Sequence, residues 1–414
     1  MRMRPEFDHL GSAPVPTWLE DEGIADASEL EPKPFDAEEF AARVGRIRAE
    51  LERRALAGVL VFRPSSVEYL CGHHTVETAP QPVLVTAEAV RIYVPDPEVG
   101  RALATGSTDS IAHYAPSEDA IALICEDVAR ICARAEPGAG IAIEDRDPTV
   151  PPRAVALLEA AGISVAAGEY LVETLRLVLS PAEIRCMDLA AEATRRGVEA
   201  AYVASEREGV TDSQLAAEIG EALRGEADSS AAMDVIVATG PRGGVPHSSF
   251  RDIPLSSGPT FIEFAGTHHR YHAPVMVTVA RRVDDLARRL EEISQTILAT
   301  VLETAAPGKA ACEVARAVEA KINLEDRDIF HFNFGYAIGL AHPPGWLDGA
   351  PFSMVVDNQA VLEEGMAFHI PASLRSFARC GVGLSHATVL EAAGARVLTG
   401  DPEPAIRVFA DGSG

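Results

Sequence analysis

From Asp36 the chain takes up a helical period. Asp36-Ala-Glu-Glu39 reads as a capping box, and Phe40, Val44, Ile47 and Leu51 then fall on one face. The apolar run at 58–62 predicts a buried strand, and those at 82–86 and 89–94 predict a hairpin. A further strand at 140–144 lies between helical patterns near 118–135 and 151–162. Strands alternating with helices predict a small α/β domain over residues 35–175. Residues 1–34 are rich in Pro, Glu and Asp, and their weak periodicity predicts an arm lying on a surface.

The pattern then changes. Ser180-Pro-Ala-Glu183 opens a long helix with a serine cap, proline at the first helical position and glutamate at the third. Thr211-Asp-Ser-Gln214 opens a second. Two strands follow within 231–240 and 258–266, joined by a Pro/Gly/Ser-rich loop. A third amphipathic helix runs through Val283, Leu286, Leu290, Ile293 and Ile297, and a fourth follows Gly308. From about 330 to 400 the pattern is one of short strands punctuated by Gly and Pro. Helices first and antiparallel strands later predict an α+β domain over 176–414.

Composition narrows the functions. Hydrophobic residues form 47% of the chain and charged ones 24%, an ordinary globular balance. A formal charge of −26 argues against nucleic-acid partners and against docking on anionic membranes. Cys71, Cys125, Cys132, Cys186, Cys312 and Cys380 are scattered without a CxxC pair and read as free thiols. No apolar stretch resembles a signal peptide or a membrane span, so a soluble cytoplasmic protein is expected.

Candidate chemistry gathers in the second half. Eight of the twelve histidines lie beyond residue 240, at 247, 268, 269, 272, 331, 342, 369 and 386. Four segments there, 237–250, 261–275, 334–346 and 365–390, resemble the pita-bread hydrolases, the superfamily of methionine aminopeptidase, prolidase and creatinase. The resemblance covers about residues 35–400, with the elements in family order. It implies a carboxy-terminal pita-bread domain behind a smaller creatinase-type α/β domain, and a homodimer in which Glu77, with His73 and Gln81, approaches the partner's cleft.

The peptidases of that superfamily hold two metal ions through Asp, Asp, His, Glu and Glu. By position those sites are here Glu263, Pro274, Tyr336, Pro371 and Ser385. One carboxylate cannot bridge two divalent ions, so no metal and no other cofactor is expected. The chain is more similar to the metal-free ectoine hydrolase and creatinase branch, through Glu263-Phe-Ala-Gly266, Arg270-Tyr-His-Ala-Pro274, Gly335-Tyr-Ala-Ile-Gly-Leu340, Pro343-Pro-Gly-Trp346 and Phe368-His369. It departs from that branch at Ser385, where the relatives keep a glutamate, and at Met276, where they have a polar or acidic residue. It also lacks the Phe-x-Arg that grips carboxylate in creatinase.

His247 stands where those relatives use a histidine for proton transfer, and an imidazole that titrates near neutrality suits a base that turns acid. Glu263, on an apolar strand, is expected to be buried and paired, either with a cationic amidine-type substrate or with Arg270. Tyr336, His342 and His386 complete the catalytic set by stabilising a tetrahedral intermediate. Arg270, Tyr271, His272, His369, Trp346 and Glu77 are candidate substrate contacts. Each could equally be a structural side chain satisfied by backbone or solvent. The expected activity is metal-independent hydrolysis of a C–N bond in a small amidine, ureido or cyclic nitrogen compound. Two alternatives stay open: a lyase or decarboxylase in the same pocket, and an Xaa-Pro-peptidase-like protein that binds ligand without catalysis.

Overall fold

The computed structural model describes residues 5–20, 30–31, 33–134, 139–224, 231–322, 329–330, 333–348, 351–400 and 405–410. The chain forms two compact units, Met1–Leu175 and Arg176–Gly414. His331 lies outside the described residues.

In the first unit the strands are β1 (Glu6–Leu10), β2 (Leu56–Val61), β3 (Val83–Thr86), β4 (Val90–Pro95), β5 (Ser110–Tyr114), β6 (Gly140–Ile143) and β7 (Val165–Ala167). The helices are α1 (Thr17–Glu20), α2 (Ala37–Arg54), α3 (Pro64–Cys71), α4 (Val99–Thr105), α5 (Ala120–Cys132), α6 (Pro152–Ala160) and α7 (Leu171–Leu175). Asp36 caps α2 by accepting from the Glu39 N–H, and Phe40, Val44, Ile47 and Leu51 are buried. The sheet order is β1-β5-β4-β3-β2-β6-β7. Strands β1, β5 and β4 run parallel, as do β2, β6 and β7; β3 is antiparallel to both its neighbours.

The chain start departs from the expected surface arm, since residues 6–10 are the edge strand of this sheet and Leu10 joins its core. An edge strand with a single buried apolar residue carries too little alternation to announce itself.

The second unit opens with α8 (Pro181–Ser205) and α9 (Asp212–Leu223), each closed at its start by a reciprocal capping box, at Ser180/Glu183 and at Thr211/Gln214. Strand β8 (Ile236–Thr239), a 3-10 turn at Gly240–Gly244, and the β9 (Thr260–His268)–β10 (Tyr271–Ala280) hairpin follow. Then come α10 (Asp285–Thr304), α11 (Ala311–Glu319), β11 (Ile329–Phe330), β12 (Tyr336–Ala337), β13 (Ala367–Ser376), β14 (Cys380–Glu391), β15 (Gly394–Val397) and β16 (Ile406–Val408). The main sheet path is β11-β13-β14-β10-β9-β8.

Strands β13 and β14 are long where short ones were expected. Pro371 is tolerated because it falls between the β12 and β11 pairings along the outer side of β13. Gly383 is where the Phe261 ring crosses β14; a Cβ there would collide with it.

Alternation sorts this sheet into two faces. Ile262, Phe264, Val275, Val277 and Val279 pack under α8 and α9. Phe368, Ile370, Ala372, Leu374, Val382 and Leu384 pack with residues of α10 and α11. The intervening residues look the other way. Glu263 pairs across with Met276, Met276 with Ser385, and Ser385 with Pro371, which makes one row across four strands. His369 and Arg375 lie on the same face of β13.

Candidate active site

At the centre of the face turned away from α8–α11 Glu263 is 4% exposed. Its partner is Arg375, with Nη2 3.8 Å from Oε2, rather than Arg270 as the sequence suggested. Burial pushes the Glu263 carboxyl up to about 7 even though Arg375 pulls the other way. The same burial brings the Arg375 guanidinium down to about 10. Arg375 lies over the Phe261 ring, 3.7 Å from its centroid, and its Nη1 donates to the Gly243 carbonyl at 2.6 Å. It therefore ties Glu263 to the loop that leads to His247.

Beside this pair runs a buried chain of hydrogen bonds. Trp346 Nε1 donates to Tyr336 Oη at 2.9 Å. Tyr336 Oη and His369 Nδ1 are 2.6 Å apart, as are His369 Nε2 and Ser385 Oγ. Ser385 Oγ also accepts from the Met276 N–H at 2.6 Å. Burial lowers the His369 imidazole to about 3, so it is neutral at physiological pH, and raises the Tyr336 phenol above its usual range. Which imidazole nitrogen carries the proton sets the direction of the relay. Ser385 is fully buried, which makes it an anchor for His369 rather than an attacking group.

The structure thus brings together Glu263, Tyr336, His369 and Trp346 from the predicted set. Arg375 joins them without having been foreseen, and Ser385, read from the sequence as a lost ligand position, joins as the anchor of His369. A signal was present for Arg375: in Ala367–Ser376 it shares the odd-numbered face with His369 and is the strand's one charged side chain.

Other predicted residues lie elsewhere. His386, next to Ser385, points to the opposite face with Leu384, bonds Thr399 Oγ1 through Nδ1 at 2.9 Å, and lines a cavity of about 180 Å³ with Arg195, Glu199 and Tyr202 of α8. It cannot stabilise an intermediate formed against Glu263. His272 has both ring nitrogens committed to backbone: Nδ1 to the Arg270 carbonyl at 2.7 Å, and Nε2 to the Ala232 N–H at 2.9 Å. Burial lowers it to about 4, reinforced by nearby His342. Neither nitrogen is left for substrate. Tyr271 donates to Glu183 Oε1 of α8 at 2.8 Å and is structural.

Arg270 occupies a two-residue hairpin turn with His269, both at positive φ (58° and 45°). His342 is buried near His272. His247 is exposed at positive φ on the loop beyond Gly244. Glu77, in the first unit, is exposed and uses Oε1 to accept from the N–H groups of Thr78 and Ala79. It also borders a cavity of about 440 Å³ with His73, His74 and Gln81.

The five positions that would carry a dinuclear metal site do not form a donor set. Pro274 and Pro371 offer no side-chain ligand, Tyr336 and Ser385 are engaged with His369, and the one carboxylate faces a guanidinium. Among the described residues, the groups of three or more His, Cys, Asp or Glu with converging ligand atoms belong to the first unit.

Comparison with known proteins places these features in a lineage. Residues 185–392 match the metallopeptidase family M24, and residues 43–178 match the creatinase/prolidase N-terminal domain. Ectoine hydrolase of Halomonas elongata is 26% identical over 366 residues, covering 82% of this chain and 90% of that protein. The probable dipeptidase PepE of Mycobacterium tuberculosis is 26% identical over 386 residues, covering 90% and 98%. The Xaa-Pro dipeptidase structure from Bacillus anthracis superposes with a TM-score of 0.73 at 20% identity, covering 89% of this chain and all of that one, a likeness of fold. Among the described residues no helix is long and apolar enough to cross a membrane.

Proposed function

Because the chain belongs to metallopeptidase family M24, yet offers no donor set for that family's metal, we propose that it is a metal-independent hydrolase. It opens a C–N bond in a small amidine, ureido or cyclic nitrogen compound, a class that includes the ectoine named in its Halomonas elongata relative. The observation that carries this reading is Glu263: a buried carboxyl held near pH 7 against Arg375, where the peptidases would hold metal. A carboxyl poised at the working pH is suited to proton transfer in both directions.

In this reading Glu263 takes a proton from water as the oxygen adds to the amidine or ureido carbon. His247, four residues beyond the Gly243 carbonyl held by Arg375, donates a proton to the leaving nitrogen as the C–N bond breaks, and solvent then takes the proton from Glu263 and restores the one on His247. Arg375, with N–H groups to spare, holds a substrate carboxylate. The neutral Trp346–Tyr336–His369–Ser385 chain fixes the wall of the site and leaves its charge to Glu263 and Arg375. His342 and Arg270 are further substrate contacts. A homodimer, with Glu77 reaching the partner's cleft, belongs to the same proposal.

The test is incubation with ectoine, creatine and small ureido acids, followed by mass spectrometry. A product heavier by one water, formed by the wild type and not by Glu263→Gln, supports the proposal. Loss of a fragment without added water favours a lyase. Turnover that vanishes on chelation and returns only with two equivalents of divalent ion overturns metal independence.

A further inference from the structure

In the first unit three side chains converge at one end of a parallel strand set. His9 of β1 is in register with His113 of β5, and His113 with Val94 of β4; Asp96 follows two residues later, just past β4. All three lie at the carboxyl ends of their strands, where open α/β sheets collect ligands. His113 Nδ1 is 2.8 Å from Asp96 Oδ1, and His9 Nε2 is 3.9 Å from the same oxygen. The two imidazoles stand 4.9 Å apart, tilted by 54°. One ligand atom from each residue lies within 4.8 Å of the other two.

A plain hydrogen-bonded trio would give each nitrogen facing inward a partner. His113 has one in Asp96. His9 Nε2 is buried and makes no hydrogen bond among the described residues. Burying His9 Nε2 without a partner is costly, and a cation at the focus of His9, Asp96 and His113 removes that cost.

We propose that His9, Asp96 and His113 form a binding site for one divalent transition-metal ion of the zinc class, which clamps the edge strand β1 to the sheet. Two imidazoles and a carboxylate suit such an ion, whose bonds to N and O are about 2.0–2.2 Å. Ligand atoms around it would lie roughly 3–3.5 Å apart, so atoms now within 4.8 Å of one another draw together by up to about 1.5 Å while the 2.8 Å His113–Asp96 pair opens slightly. Binding places the His113 proton on Nε2, leaving Nδ1 to face the ion. This site is separate from the Glu263 centre, and neither proposal depends on the other.

The experiment is titration of chelator-stripped full-length protein with Zn²⁺, followed by metal analysis after dialysis, with Co²⁺ as a spectroscopic probe. The wild type and Glu263→Gln are expected to retain one equivalent with the same affinity. His9→Ala and His113→Ala are expected to bind at least about 100-fold more weakly and to lose the Co²⁺ visible bands. The milder His9→Gln and Asp96→Asn serve if either alanine variant does not fold. Unchanged stoichiometry and affinity in the His9 and His113 variants would overturn the site, as would no stoichiometric binding by the wild type.

Discussion

Glu263 titrates where imidazoles usually do because burial outweighs the one guanidinium beside it. Its folded pKa, about 7, lies above the reference 4.5. The protonated form is thus the one the fold favours, and the stabilisation is complete below the reference value and lost as pH rises through 7. Over pH 5 to 8 the wild type should lose roughly 2–3 kcal/mol more stability than Glu263→Gln, whose side chain does not titrate. Urea midpoints at the two pH values measure this; parallel slopes would show that Glu263 is not held neutral. Tyr336 is the hinge of the neighbouring chain. Tyr336→Phe strands both Trp346 Nε1 and His369 Nδ1 in a buried place, at a cost of about 2 kcal/mol or more in thermal or urea unfolding. At this scale the chain was half readable. Alternation placed Glu263 inside, but its partner lies on a strand whose pairing no local pattern reveals. His386 was misplaced because adjacency to Ser385 in sequence means opposite faces in a strand.

The β9–β10 hairpin turns through His269 and Arg270, both in the left-handed region. That is the two-residue turn that matches strand twist, and it ordinarily uses Asn and Gly. A side chain with a Cβ held there costs about 1–2 kcal/mol. Arg270→Gly should therefore stabilise the second unit by about 1 kcal/mol in urea unfolding. If Arg270 also grips substrate, KM rises in the same variant while stability improves; stability gained with KM unchanged would remove it from the substrate contacts. The elements show why some boundaries were legible and others were not. Ser180 and Thr211 announced their helices through capping chemistry confined to four residues. Strands β13 and β14 hid their length because Pro371, Gly381 and Gly383 read as breaks. They are instead places where pairing lapses or another chain segment passes close: Phe261 lies against Gly383, and the Gly243 carbonyl against Gly381.

Across the whole molecule the two units carry different buried titrations, and these set different responses to acid. In the second unit His272 and His369 are lowered by burial to about 4 and about 3, from a reference of 6.5. A base whose folded pKa is depressed stabilises the fold above its unfolded value, and that contribution is lost as pH falls. Near pH 5.5 unfolding therefore takes up nearly two protons at these histidines. Glu263 opposes this by releasing nearly one, because it is protonated when folded and ionised when unfolded. The balance is about one proton, or about 1.4 kcal/mol lost per pH unit on acidification. In the first unit His73, lowered by burial to about 4, is opposed by Glu144, which burial and its neighbour Glu173 push well up. Asp147, also raised by burial, opposes His73 in the same sense, so acid costs this unit less. Acidification from pH 7 to 5 should accordingly weaken the second unit first. Trp346 is buried there, whereas Trp18 of the first unit is half exposed, so the shift of tryptophan emission in urea follows the second unit. Hydrogen exchange along β2 and β6 follows the first. Tryptophan midpoints that fall with pH while exchange in β2 and β6 holds steady are the expected result, and a common shift of both would show that the two units unfold as one.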